Sequence, residues 1–315
     1  MLGLLLLLSS WNLQANSKKY RTGNRSDAII IPSPVINYVR PNLYNGKGKF
    51  AGPADIWNPD KGFLVQSIDF ESIHPESYNQ NFPTTGLDGL YFDLLITGIE
   101  PEKLTWEPVT LGGITATVTN VVAEDWWIPY EDRGVVARVK LTGPEARTQR
   151  NNPKPSQIAK PRLPQTFELV GRDRDGVEVV KYGFELRQWF VYRDNLNGYP
   201  HHSDQLAWCN GLGYRMSRVR DLSNAKCGIN WPFCSNGIDD SSSSGNYYQR
   251  RIGGGFFAEW GEPHSYFGGK DFNSPYAVCW TSDKAGSTTP FHVSLDGRVY
   301  SSGEYLPFNA ICTTP

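Results

Sequence analysis

Five cysteines are the residues of this 315-residue chain best equipped for covalent chemistry: Cys209, Cys227, Cys234, Cys279 and Cys312. All lie in the last third of the sequence. None belongs to a Cys-x-x-Cys or Cys-x-x-His pair, so a zinc site is not indicated. In an oxidising compartment such thiols form disulfides. An odd number leaves one thiol over, either buried and inert or exposed and reactive. The five histidines, His74, His201, His202, His264 and His292, stand beside no Gly-x-Ser-x-Gly or His-Glu-x-x-His motif. Catalytic partners meet in space rather than in sequence. An exposed, thiolate-prone Cys279 is therefore the one nucleophile an enzyme reading would rest on. The expectation is that the chain is not an enzyme.

Carboxylates offer little metal chemistry. Asp173-Arg174-Asp175-Gly176 opens like a calcium loop but lacks the bidentate Glu that should follow, so a turn is expected. Asp239 and Asp240 lie beside four serines and read as a flexible polar loop. No cofactor and no metal are expected.

Aromatic and arginine side chains are the richer material. The stretch from Tyr247 to Phe267 holds Tyr247, Tyr248, Arg250, Arg251, Trp260, His264 and Tyr266, with Gly253-Gly254-Gly255 allowing the backbone to bend. Tyr, Trp and Arg dominate protein-binding hot spots because they bury large area while keeping a polar handle. These seven residues are the candidate contact surface. The competing reading is that about half of the aromatics simply pack a small core.

The elements that must position them are mostly strands. Aromatics make up 13% of the chain, with 31 Gly and 22 Pro, a composition of short strands joined by turns. A net charge of −1 gives no pull toward nucleic acid or anionic membrane. Strand-like runs begin at Phe63, Leu90, Leu104, Ile114 and Val135, and a hairpin is expected across Asp173–Gly176, between Thr166–Val170 and Val177–Tyr182. Seven or so such strands spell an antiparallel sandwich over residues 62–194. Residues 143–164 hold five prolines and five Lys or Arg without an apolar run. They read as a surface loop open to proteolytic nicking. Phe184–Tyr192 reads as one long strand. Beyond it the period changes: a helix over Ala207-Trp208-Cys209 with Ser203 as N-cap, a short helix over Val219–Leu222, then a strand from Tyr276, a hairpin with Asp296-Gly297 at its turn, and a terminal strand over Phe308–Cys312.

The N-terminal part reads as two pieces. Leu2–Leu8 is an apolar run far shorter than the ~20 residues that cross a bilayer, and Ala15 offers a cleavage site, so 1–15 is read as a signal peptide. Residues 16–61 are polar and read as an extended segment.

An ordered set of motifs carries a family resemblance: Gln188-Trp189-Phe190, Ala207-Trp208-Cys209, Gly213-Tyr214-Arg215-Met216, Val219-Arg220-Asp221-Leu222, Cys279-Trp280-Thr281-Ser282, Val293-Ser294-Leu295-Asp296-Gly297 and Ala310-Ile311-Cys312. This set resembles the C-type-lectin-like domain of the intimin/invasin family. The preceding sandwich resembles the immunoglobulin-like domain those adhesins place before it, and Phe82-Pro83-Thr84-Thr85-Gly86 is similar to a motif of related enterobacterial proteins. The expected fold is thus mainly β with a smaller α+β part: an Ig-like antiparallel β-sandwich over 62–194, then a C-type-lectin-like domain over 195–315. Family adhesins carry an outer-membrane barrel that this sequence does not contain. It therefore resembles short exoproteins of the Salmonella Zir type, exported with an intimin-like outer-membrane partner.

The resemblance implies a secreted or surface-associated, adhesin-like protein that reaches the cell exterior via the periplasm. Its implied partner is a protein, either a host surface protein or a cognate bacterial exoprotein or outer-membrane barrel. It also implies a Cys209–Cys312 bridge. Closing a loop of about 100 residues would contribute ~4–5 kcal/mol through loop-closure entropy. Cys227 and Cys234 are close enough to pair across Trp231-Pro232, leaving Cys279 as a buried strand residue. The alternative of calcium-dependent sugar binding rests on Glu262-Pro263-His264. His is a poor ligand for calcium, which prefers oxygen, and no Trp-Asn-Asp triplet follows.

Overall fold

A computed structural model describes residues 33–66, 75–193, 201–226, 242–266, 278–286 and 288–314. The signal peptide reading of 1–15, His74, the Cys227–Cys234 pair, Asp239, Asp240 and Phe267 fall outside the described residues. The described elements of the N-terminal half are all strands and single 3-10 turns. They are β1 (Val35–Arg40), β2 (Trp57–Asn58), β3 (Gly62–Leu64), β4 (Thr85–Leu87), β5 (Tyr91–Thr97), β6 (Thr105–Trp106), β7 (Val109–Leu111), β8 (Ile114–Ala123), β9 (Gly134–Thr142), β10 (Gln165–Arg172) and β11 (Glu178–Leu186). Then follow β12 (Gln188–Arg193), α1 (His202–Gly211), β13 (Arg215–Met216), α2 (Val219–Leu222), α3 (Phe256–Trp260), β14 (Val278–Ala285), β15 (Thr289–Ser294), β16 (Val299–Ser301) and β17 (Asn309–Thr313).

Alternation decides the sandwich. On β10, Phe167 and Leu169 are buried while Glu168 and Val170 between them are partly exposed, the period of a strand with one face on a core. The sheet β11-β10-β6 sets such residues against Phe92, Ala116 and Val139 of the seven-stranded sheet β2-β3-β1-β5-β9-β8-β7. Every pairing in these two sheets is antiparallel. The Asp173–Gly176 turn forms as expected. Gly176 takes a φ of 80°, and the Asp173 carboxylate accepts from the N–H groups of Asp175 and Val177, both at 2.9 Å.

Two readings of the sequence need correction here. Val35–Arg40 lies within the segment read as extended, yet β1 sits in the interior of its sheet, between β3 and β5. Its Arg40 is buried and meets Asp93 at 3.3 Å. The strand carries a bulge between Ile36 and Tyr38, so its buried Ile36 and Val39 fall off the two-residue period that marks a strand in sequence. Phe184–Tyr192 is also not one strand. The chain breaks at Arg187, where the Arg187 and Gln188 N–H groups both donate to the Thr84 carbonyl, at 2.7 and 3.2 Å. β11 ends in the sandwich and β12 begins a third sheet.

That third sheet runs β16-β15-β14-β17-β12-β4, with β13 beside β17. It is antiparallel except where β4 pairs with β12 and β14 with β17. β4, from the sandwich half of the sequence, thereby completes the C-terminal sheet. Gly86 is required there, since a Cβ would come within 2.9 Å of the Trp189 ring. Cys209 on α1 is joined to Cys312 on β17 across 103 residues, with Cα atoms 5.5 Å apart. Helix α1 starts two residues earlier than expected: His201 and not Ser203 is the N-cap, and its N–H donates to Asp204 at 3.0 Å. The result is an antiparallel β-sandwich followed by a disulfide-closed α+β head.

The proline-rich stretch 143–164 is a strap and not a free loop. Its carbonyls accept from four side chains of the head: Trp189 to Pro144 at 2.8 Å, Trp208 to Gln149 at 3.1 Å, Arg193 to Arg150 at 2.7 Å and Tyr214 to Ala159 at 2.7 Å. Buried donors need acceptors, and a strap that supplies backbone carbonyls needs no apolar residues of its own.

Candidate functional site

The seven contact candidates separate into two groups. Tyr248, Arg250, Trp260 and Tyr266 are buried, and Tyr247, Arg251 and His264 are the members that reach the surface. The buried four form the seam that ties the head to the sandwich. Arg250 donates to the Glu259 carbonyl at 3.0 Å, to the Asn42 carbonyl at 2.5 Å and to the Tyr44 carbonyl at 2.8 Å. Its guanidinium also lies 4.7 Å from the Trp57 ring centre. Burial disfavours its charge, and these carbonyls and the ring replace the lost water. Trp260 donates to the Thr85 carbonyl at 3.0 Å. The Tyr266 hydroxyl accepts from the Asn42 N–H at 2.6 Å and donates to the Trp260 carbonyl at 3.2 Å. As a contact patch these four are therefore withdrawn: their polar handles are spent inside the protein.

Glu259, between them on α3, was not singled out in the sequence. It is fully buried, and its carboxylate accepts from the N–H and hydroxyl groups of both Thr84 and Thr85 and from the Gly253 N–H at 2.8 Å. Burial raises its pKa, opposed by these donors. Thr84 and Thr85 are the centre of the Phe82–Gly86 motif, which thus has a structural task.

Glu262 and His264 sit at the same seam. Glu262 accepts from the Asn45 side chain, and its other oxygen lies 3.4 Å from His264 Nδ1. Burial, then the nearby Asp296 charge, push its pKa up from 4.5 to about 7, against the Asn45 hydrogen bond and Arg250. Burial lowers the His264 pKa. Glu262 is thus a partly protonated interior group near neutrality, engaged by Asn45, and a poor start for a calcium site. Among the described residues no three His, Cys, Asp or Glu side chains cluster as metal ligands. Cys279 is free but fully buried, and burial pushes its thiol up, away from the thiolate that a nucleophile needs.

What does face outward lies elsewhere. Between β8 and β9 the chain runs Trp126-Trp127-Ile128-Pro129-Tyr130, with Trp126 57% and Tyr130 84% exposed. Trp126 meets the exposed Tyr44 edge-on at 4.9 Å and Trp127 at 5.8 Å. With Pro59, Pro129 and Lys47 these rings line an open pocket of about 290 Å³. On the head, Tyr305 is 73% exposed beside Leu306, and its carbonyl lies 3.0 Å from His201 Nδ1. Of the two tryptophans in this connection, Trp127 packs against the core and Trp126 is left outside it.

No family model matches the chain, and no curated protein matches it. Several solved structures are similar to it. One is invasin, a bacterial integrin-binding protein, at 11% identity and a TM-score of 0.48, over 90% of this chain and 40% of that one. Another is the C-terminal 282-residue fragment of intimin in complex with the intimin-binding domain of the translocated intimin receptor, at 13% identity and a TM-score of 0.44, over 90% of this chain and 66% of that one. A third is an intimin mutant from EHEC O157:H7, at 11% identity and a TM-score of 0.38. The chain thus spans less than two thirds of the first two. The strand order of this chain gives an antiparallel sandwich leading into a disulfide-closed α+β head.

Proposed function

We propose that this chain is a secreted or surface-associated recognition protein that binds a protein partner through exposed aromatic rings on a rigid two-part frame. The observation that carries the reading is the Trp126–Tyr130 connection. Large rings exposed to water are retained where a partner covers them, because they bury much area with little entropy loss. The seam of Glu259, Arg250 and Trp260 supports it, since a fixed frame pays less ordering entropy on binding. Export via the periplasm, with residues 1–15 as signal peptide, agrees with the Cys209–Cys312 bridge, a bond that persists in oxidising compartments. Among the described residues no helix is long and apolar enough to cross a membrane. The partner is a host surface protein or a cognate bacterial exoprotein or outer-membrane barrel, as for a short Zir-type exoprotein.

The test is capture with the folded, oxidised chain from two sources, host-cell surface proteins and outer membranes of the producing bacterium. A protein retained by the wild type and lost with Trp126→Ala is the expected result. Equal recovery with Trp126→Ala and with Tyr305→Ala would overturn the reading. Catalysis through Cys279 is the weaker alternative, and an unreactive thiol in the folded protein removes it.

A further inference from the structure

Strand β8 carries an open edge. β7 covers only its first three residues, with Val109 opposite Ala116, Thr110 opposite Thr115 and Leu111 opposite Ile114. The connecting turn has two residues, Gly112 and Gly113, both at positive φ. In such a hairpin the flanking pair, Leu111 and Ile114, is the hydrogen-bonded one. The N–H and C=O of Ile114 and Ala116 therefore point at β7, and those of Val118, Asn120 and Val122 point the same way, past its end. Thr115, Thr117, Thr119, Val121 and Ala123 point at β9, with which β8 pairs without a bulge through Ala123. Among the described residues, no other strand pairs with β8 beyond Ala116.

The other outer strands are protected. Those at Trp57–Asn58, Thr105–Trp106, Thr85–Leu87 and Val299–Ser301 have only two or three residues. β11 is long, but it carries Glu178, Lys181 and Glu185, and Tyr78 and Asn81 cover it at Gly183. Charge, brevity and cover are the usual defences of a sheet edge. Residues 117–123 of β8, Thr-Val-Thr-Asn-Val-Val-Ala, have no charge, no proline and no bulge. Beside them the core-facing side of the sheet runs out from under the three-stranded sheet: Val122 is 58% and its cross-strand neighbour Val135 is 36% exposed.

We infer that this edge is a homotypic docking surface, joining two copies of the chain by antiparallel β8–β8 pairing into one continuous sheet. The occupant follows from self-complementarity. A two-fold axis through Asn120 sets Asn120 against Asn120, Val118 against Val122, and Thr119 against Val121. The outward N–H and C=O groups of Val118, Asn120 and Val122 then meet their own copies in register, as an isologous interface requires. β-Branched residues face each other, and no like charges oppose across the axis. This goes beyond partner binding through the aromatic rings and does not depend on it.

The full oxidised chain is examined by light scattering and sedimentation across a concentration series, beside Asn120→Lys and Val122→Lys. The wild type is expected to reach twice the 35.4 kDa chain mass. Asn120→Lys, which sets like charges against each other on the axis, and Val122→Lys, which sets a charge against Val118 of the other copy, are both expected to stay at the chain mass with an unchanged circular-dichroism spectrum. Asn120→Cys supplies an independent readout: under mild oxidation it is expected to cross-link to a dimer that reductant dissolves, while the wild type does not. A wild type that stays monomeric at its highest soluble concentration overturns the proposal. So does a dimer that survives both lysines, or one in which Asn120→Cys fails to cross-link.

Discussion

Glu259 holds Thr85 through one carboxylate oxygen, Oε2, which accepts from the Thr85 hydroxyl at 2.5 Å and from its N–H at 3.0 Å. This pair joins helix α3 of the head to strand β4, the strand that leaves the sandwich to complete the third sheet. A buried carboxylate without a cationic partner is stable only while its donors are all present. Glu259→Ala strands the Thr84, Thr85 and Gly253 donors. It is expected to lower unfolding stability by about 3–5 kcal/mol, and Glu259→Gln by about half as much, since the amide keeps one acceptor. Urea unfolding of both variants measures this. A loss below about 1 kcal/mol for Glu259→Ala would show that the seam is held by apolar packing alone.

The Cys209–Cys312 bond ties the first helix of the head to the last strand. A link closing a loop of this length restricts the unfolded chain by roughly 4–5 kcal/mol. Cys209→Ser with Cys312→Ser is expected to lose most of that in urea, with Trp260 still shielded from fluorescence quenchers below the transition. Cys279 is expected to stay unreactive toward a thiol reagent until the chain unfolds, because it is fully buried.

Two interior groups give opposite pH dependences. Glu262 is raised from 4.5 to about 7, so its favourable contribution is complete below 4.5 and fades as pH rises through 7. His292 is lowered by burial from 6.5 to about 4, so its contribution is complete above 6.5 and is lost as pH falls toward 4. Each swing amounts to about 3 kcal/mol at most. The wild type is therefore expected to show a shallow profile between pH 4.5 and 6.5. Glu262→Gln removes one arm, exposing a steady loss of stability as pH falls. Stability profiles of the two proteins in urea check this, and parallel profiles would contradict the assignment.

Much of the sandwich was readable. β9 and β10 show the alternation of strands with one face on a core, and Gly176 of the β10–β11 turn and, in the head, Gly297 of the β15–β16 turn accept a positive φ. The strand pairings between distant segments were not readable. β4 has only three residues and β1 is interrupted by a bulge between Ile36 and Tyr38, so neither shows a clean strand period. The aromatic stretch from Tyr247 misled for a related reason. Composition cannot tell a ring that anchors a partner from a ring that anchors another part of the same chain. Tyr248, Trp260 and Tyr266 are the second kind, whereas Trp126 and Tyr130 are exposed and free to be the first.

The decisive measurement is the affinity of the captured partner for Trp126→Ala, set beside Arg251→Ala, a substitution at an exposed residue of the head. Loss of one truncated ring is expected to weaken binding at least about tenfold, or ~1.4 kcal/mol, with the melting temperature unchanged, while Arg251→Ala binds as the wild type does. Wild-type affinity in Trp126→Ala together with a large loss in Arg251→Ala would move the contact back to the head's 247–266 stretch and contradict the account.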